Sequence, residues 1–238
     1  MTAEQGWRPA FPLRPLTDAV DALCESWRVL AAIHRPHFHP RISEPSLTRV
    51  LKVHVENVTA RQRGLLGMWS AETVINRVNF ETGELIEERR TDIVYGWNDE
   101  KIGIQLVFEF KKLSRHKRSQ TNYLGQNGLL RFVTGIYGQR QPIAAMVGIL
   151  IDSFERCVPQ LREALADVTL ARPLRLRPTS TGYPYHRPSQ IFPDVAEFDT
   201  EHDKSPEGTG TDEVVRVAHL FFPFDYAAAN EEACDRER

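Results

Sequence analysis

Apolar positions in the first quarter of the chain recur at helical spacing. Val20, Leu23, Cys24, Trp27, Leu30 and Ala31 share one face of a predicted helix from Thr17 to about Ile33. The run His34-Arg35-Pro36-His37-Phe38-His39-Pro40 ends it. Pro45 suits the first turn of a second helix, with Leu47, Val50, Leu51, His54 and Val58 as its stripe and an end near Gly64. The period then falls to two. Strands are predicted through Met68 to Val78, through Arg89 to Tyr95, and through Ile102 to Lys111, with turns at Glu81 to Glu84 and at Gly96 to Asp99. A third helix is predicted from Ser119 to Tyr137, with Tyr123, Leu130, Val133, Ile136 and Tyr137 inward. The nearly continuous apolar run Ala144 to Ile151 reads as a strand buried on both faces. Ser153 to Val168 reads as a helix with Phe154, Cys157, Val158, Leu161 and Leu165 facing in.

Beyond Leu170 the pattern weakens. Residues 171–193 are Pro-rich and irregular, and residues 194–213 carry Asp194, Glu197, Asp199, Glu201, Asp203, Glu207, Asp212 and Glu213, which predicts a mobile acidic loop. Val214 to Phe224 is a last apolar strand, and the tail from Asn230 is charged. Helix, three strands, helix, strand, helix and a late strand describe an α/β fold, a mixed sheet flanked by helices. The expected division is an N-terminal arm and helix over 1–43 (the arm spanning 1–16), a core over 44–193, the acidic loop, and a late strand with its tail over 214–238.

At 238 residues, with 41% hydrophobic and 26% charged residues, the chain has an ordinary globular composition. It holds no transmembrane-length apolar run, and Met1 to Arg14 lacks the apolar stretch of a secretory signal. Three well-separated cysteines, Cys24, Cys157 and Cys234, argue against a disulfide framework and for a reducing cytoplasm. The net charge of −2 excludes a generic polyanion binder, so any nucleic-acid contact must come from local basic patches.

The strand ending in Glu109-Phe110-Lys111 carries the chemistry. Its even positions, Ile102, Ile104, Leu106, Phe108 and Phe110, are all apolar, so Glu109 and Lys111 leave the opposite face side by side. Asp92 lies on the preceding predicted strand. Two carboxylates and an ammonium at neighbouring strand ends form a set that suits a divalent cation. Lys111-Lys112-Leu113-Ser114-Arg115-His116-Lys117-Arg118 is a basic cluster directly after it. Arg172, Arg175 and Arg177 form a second basic segment, and Asn122, Tyr123, Gln126, Asn127 and Arg131 make the next helix polar. His34, His37 and His39, flanked by prolines and without cysteines nearby, read as a loop and not as a zinc site.

Over residues 44–168 these motifs resemble the PD-(D/E)xK, or restriction-endonuclease-like, nuclease superfamily. The resemblance implies a restriction-endonuclease-like sheet and Mg²⁺- or Mn²⁺-dependent hydrolysis of DNA phosphodiester bonds, in restriction, anti-phage defence or repair. It implies Asp92, Glu109 and Lys111 as catalytic residues, with Asp92 and Glu109 holding the metal. A further acid is expected on the first core helix. Glu56 is taken for that role, with Glu44, Glu72 and Glu88 as alternatives. Lys112, Arg115, Lys117, Arg118 and Gln126 are the expected nucleic-acid contacts. A catalytically silent domain that binds nucleic acid or joins an assembly is the alternative. Leu220-Phe221-Phe222-Pro223-Phe224 reads as core, with a homodimer contact as the other option, since paired sites often cut the two strands of a duplex.

Overall fold

Helix α1, Leu13–Ala31, opens the part of the chain that the computed structural model describes, namely residues 13–79, 81–98, 103–134, 142–204 and 213–226. It starts four residues before the predicted Thr17 and takes the last residues of the expected arm, because Leu16 joins its buried face with Val20, Leu23, Trp27 and Leu30. The rest of the arm, the inward Ile136 and Tyr137, Ile102 and the charged tail lie outside the described residues.

Helix α2, Glu44–His54, continues through one wide π turn, Val55–Thr59, into the short α3, Ala60–Gln62. The wide turn re-phases the predicted stripe. Leu47, Leu51, Val55, Thr59 and Ala60 are buried, whereas Val50 and Val58 are exposed. Thr59 Oγ1 lies 2.7 Å from the buried Ser26 Oγ of α1, a polar seam between the two helices.

The main sheet is six-stranded and mixed, in the order β1-β4-β5-β6-β8-β7. Its strands are β1 Met68–Ala71, β4 Ile93–Asn98, β5 Gly103–Leu113, β6 Ile143–Leu150, β7 Phe198–Lys204 and β8 Glu213–Phe222. β5, β6 and β8 run parallel, and antiparallel β4 and β7 flank them. β2, Val74–Val78, and β3, Leu85–Arg90, form a separate antiparallel pair. Two predicted strands are therefore each broken in two. The first breaks at Glu72, which takes a left-handed backbone (φ 51°), and the second at Thr91-Asp92. The breaks meet: Thr91 N donates to Thr73 O at 3.0 Å and Glu72 N to Asp92 O at 3.2 Å, so the β2–β3 ribbon leaves the sheet at a single crossing.

Helices cover both faces of the sheet. Ile104, Leu106, Phe108 and Phe110 pack with α1 and α2 in one core. Val107 and Leu113, from the other face of β5, pack beneath α4 (Lys117–Leu124), α5 (Leu130–Val133) and α6 (Phe154–Ala166). β6 is buried along its whole length, as expected of a strand covered on both faces. The short α7, Val168–Ala171, follows α6. The predicted helix over 119–137 is two helices, because the chain folds back tightly between them: a methyl at Gly128 would stand 2.1 Å from the Tyr123 carbonyl oxygen. Among the described residues no helix is long and apolar enough to cross a membrane.

The acidic stretch 194–213 corrects its expectation over 198–204, which form β7, while 205–212 lie outside the described residues. Alternation explains why. Phe198, Thr200 and His202 point into one core, and Asp199 faces the other side with none of its surface exposed. The Asp199 carboxylate accepts from Ser189 Oγ at 2.6 Å, Gln190 N at 2.5 Å and Ile191 N at 3.1 Å, binding the irregular 186–192 segment to the sheet. Glu201 pairs with the buried Arg216 of β8. On the Phe198 side a fully buried chain of hydrogen bonds runs from Tyr123 through His219, Thr200 and His202 to the Leu174 carbonyl. That carbonyl can only accept, so His202 carries its proton on Nδ1, Thr200 donates to His202 Nε2, His219 donates from Nε2, and Tyr123 donates to His219 Nδ1. Burial holds both imidazoles below the usual histidine range, His202 at about 4.

Candidate active site

Backbone donors of β5 place the acids. β4 begins at Ile93, paired with Phe108, so the edge of β5 beyond that point has lost its partner strand. Two carboxylates take over. Asp92 Oδ2 accepts from Phe110 N at 2.7 Å, and Glu44 Oε2 accepts from Lys112 N at 2.9 Å. Amide groups at a sheet edge must find partners, and here they fix one acid just before β4 and one at the start of α2. One residue beyond the ladder, the same register sets Asp92 across from Glu109.

The third acid comes from β5 itself. Glu109 has no exposed surface, and its Oε1 lies 2.8 Å from Arg131 Nη1 of α5 and 3.0 Å from Lys111 Nζ. Lys111 Nζ is the common centre. It also lies 2.9 Å from Glu44 Oε1, 3.9 Å from Asp92 Oδ2 and 2.5 Å from the Phe110 carbonyl oxygen. Three carboxylates, from the start of α2, from the break before β4 and from β5, thus surround one ammonium.

Burial and mutual repulsion raise the cost of charge here. Burial, and then the neighbouring Asp92 carboxylate, push Glu109 up to about 7 against the pull of Lys111 and Arg131. Burial also raises Asp92, partly offset by Lys111 and by its bond from Phe110 N. For Lys111, burial works to lower the pKa, but Glu109, Glu44 and Asp92 together outweigh it and raise it, so the amine is held as ammonium.

The expected residues divide. Asp92, Glu109 and Lys111 lie together at the end of β5. Glu56 does not join them: its carboxylate is 2.7 Å from Lys52 Nζ, an (i, i+4) pair on the helix surface. Glu72 pairs with Arg49 at 3.3 Å, and Glu88 is exposed on the β2–β3 ribbon. Of the four acids weighed for the fourth position, Glu44 is the one in the cluster. Lys112 leaves β5 on the face opposite Lys111, and its ammonium is bound to the Pro40 carbonyl at 2.7 Å, so it ties the 34–43 loop to the strand. Arg115, Lys117, Arg118 and Gln126 are exposed just beyond β5. Arg131 was legible only as one polar residue among several, and no spacing rule marked it as the partner of Glu109.

Hard carboxylate oxygens suit Mg²⁺ or Mn²⁺, and Glu109 Oε2 is buried without a hydrogen-bond partner among the described residues. In donor chemistry alone the three carboxylates suit such an ion. Among the described residues, however, no group of three or more His, Cys, Asp or Glu side chains is arranged to hold a metal ion. The acids converge instead on Lys111. No protein-family model, curated protein or solved structure matches this chain.

Proposed function

We propose that this protein is a metal-dependent nuclease of the restriction-endonuclease-like type that hydrolyses phosphodiester bonds of DNA, in restriction, anti-phage defence or repair. The observation that carries this reading is the meeting of Glu44, Asp92 and Glu109 around Lys111 at the end of β5. Chain order supports it too. α2, then β1, β4 and β5, then α4–α5 and β6 follow the succession that the resemblance implies, with the β2–β3 ribbon as an insertion.

Glu44, Asp92 and Glu109 are the residues that would hold Mg²⁺ or Mn²⁺. When bound, the ion supplies Lewis acidity and lowers the pKa of water. The chain's own groups do the rest. Asp92 and Glu44 are kept in position by the β5 amides, and Arg131 fixes the rotamer of Glu109. Lys111, held as ammonium by its acids, serves as a donor to negative charge growing on phosphate oxygens. Glu44, Asp92 and Glu109 would be shared between a bound dication and the Lys111 ammonium, and to that extent Lys111 would be released from them to donate to substrate.

One observation favours a second reading, a catalytically silent domain that binds nucleic acid or joins an assembly. Glu109 is already neutralised by two cations, and the cluster closes on itself as an ion-pair network. Plasmid DNA, single-stranded DNA and RNA incubated with Mg²⁺ or Mn²⁺ separate the two. The nuclease reading expects cleavage of DNA by the parent, none by Asp92→Asn, and none by Lys111→Ala. Parent-like cleavage by both variants would sink the assigned site, and metal binding without cleavage of any substrate would favour the silent domain.

A further inference from the structure

Two exposed basic segments bracket the carboxylate cluster, and the structure brings together what the sequence keeps far apart. One is the loop 34–43. Lys112 Nζ holds it at Pro40 O (2.7 Å) while the Lys112 amide holds Glu44 Oε2 (2.9 Å), so the loop is tied to the residue next to Lys111. Arg41, in that loop and three residues before Glu44, is exposed. Its neighbourhood is ordered by one short turn, Ile42 N donating to His39 O at 3.0 Å, and by the Arg41 amide donating to the His39 ring at Nδ1, 3.3 Å away. The second segment leaves the end of β5, where Arg115 N is bound to Asp152 Oδ2 at 2.9 Å and Arg115 and Arg118 are exposed.

The two segments are anchored in the cores on opposite faces of the sheet. Phe38 packs in the core with α1 and α2, and Leu113 packs in the core beneath α4. Among the described residues the guanidinium groups of Arg41, Arg115 and Arg118 make no ion pair. By contrast, Arg63 is paired with Asp21 and Glu25, Arg187 with Glu197, and Arg35 is spent on the carbonyls that end α1. An exposed, unpaired guanidinium is suited to a phosphate oxygen pair, to which it can donate two parallel hydrogen bonds.

We propose that the 34–43 loop is a nucleic-acid-binding element, with Arg41 contacting the phosphodiester backbone on one side of the cluster and Arg115 and Arg118 contacting it on the other. The proposal rests on the nuclease reading only for what passes between the grips; the binding itself needs no turnover. It also gives Lys112 a different part. Lys112 is the tether that positions the Arg41 loop, and its own ammonium is occupied by Pro40 O.

The test is the salt dependence of binding to a short fluorescein-labelled duplex DNA, followed by anisotropy in EDTA so that no cleavage occurs. Each phosphate neutralised contributes about 0.9 to the slope of log K against log salt on duplex DNA. Arg41→Gln should lower the parent slope by about that amount, and Arg41→Gln with Arg118→Gln by about twice it. Arg61→Gln, at the far end of the α2–α3 helix, should leave slope and affinity unchanged. Lys112→Met should weaken binding as Arg41→Gln does, and should add nothing in an Arg41→Gln background. An Arg41→Gln protein with parental slope and affinity overturns the proposal, as does a parent that does not bind the duplex at low salt. Failure of the nuclease reading looks different. The parent would then bind with the Arg41 dependence intact and yet leave DNA uncut in Mg²⁺.

Discussion

Glu44 Oε1 accepts a hydrogen bond from Lys111 Nζ at 2.9 Å across 67 residues of sequence, while its other oxygen takes the amide of Lys112. Glu44 is thus bound at both oxygens to consecutive residues of β5, whereas Glu56, among the described residues, pairs with Lys52 one helical turn away. Glu44→Gln should lower apparent Mn²⁺ affinity and DNA cleavage by more than the roughly tenfold to hundredfold typical of losing a group that merely orients a ligand. Glu56→Gln should change neither beyond error. Thermal shift against Mn²⁺ concentration and plasmid nicking read the two side by side, and an effect of Glu56→Gln equal to that of Glu44→Gln would contradict the assignment.

Lys111 is the internal counter-ion of three acids, so its removal should do more than stop chemistry. Lys111→Ala leaves mutually repelling carboxylates around a buried Glu109 that keeps Arg131, and should cost about 3 kcal/mol at pH 8. The cost should shrink near pH 6, where Glu109 takes up a proton. Mn²⁺ should restore more stability to the variant than it adds to the parent, because its monovalent competitor is gone. Urea denaturation with and without Mn²⁺ measures this directly.

Glu109 has its own pH signature. Its pKa is raised from 4.5 to about 7 by folding, so between those values the folded state binds the extra proton. Its contribution is full below about 4.5 and is lost as pH rises through 7, up to about 3 kcal/mol in all. His202 acts in the opposite sense: its pKa falls from 6.5 to about 4, so its contribution is present above 6.5 and lost as pH falls through 4. Glu109→Gln removes only the first effect. Without divalent metal, the parent-minus-variant difference in unfolding free energy should decline from pH 4.5 to pH 8. A flat difference would contradict the burial assigned to Glu109.

Acids on β7 should fall into two classes although the sequence writes them alike. Asp199→Ala orphans three donors, Ser189 Oγ and the amides of Gln190 and Ile191, and should destabilise by about 2 to 4 kcal/mol. Asp203 makes an exposed pair with Arg177 at 3.0 Å, and Asp203→Ala should stay within about 0.5 kcal/mol of the parent. Chemical denaturation of both variants decides the matter. Equal, small effects would return the segment to the surface loop that its composition suggests.

Local pattern was enough for the α/β class, α1, the core strands β5, β6 and β8, and the placing of Glu109 and Lys111 side by side on one face of β5, but not for Asp92, which stands in the break before β4. Each rests on local periodicity: apolar side chains repeating every 3.6 or every two residues declare which face is buried, whatever the rest of the chain does. Tertiary structure alone decided which acid completes the cluster. Glu44 and Glu56 sit on the same helical stretch, and only the unpaired edge of β5 beyond Ile93, with its free amide at Lys112, selects Glu44. It also decided that Arg131 meets Glu109, that Lys112 faces away from Lys111 to hold Pro40, and that an acidic stretch becomes a strand. Those outcomes depend on partners far away in the chain. A buried carboxylate such as Asp199 is tolerated only where distant donors converge on it, and composition carries no record of those donors.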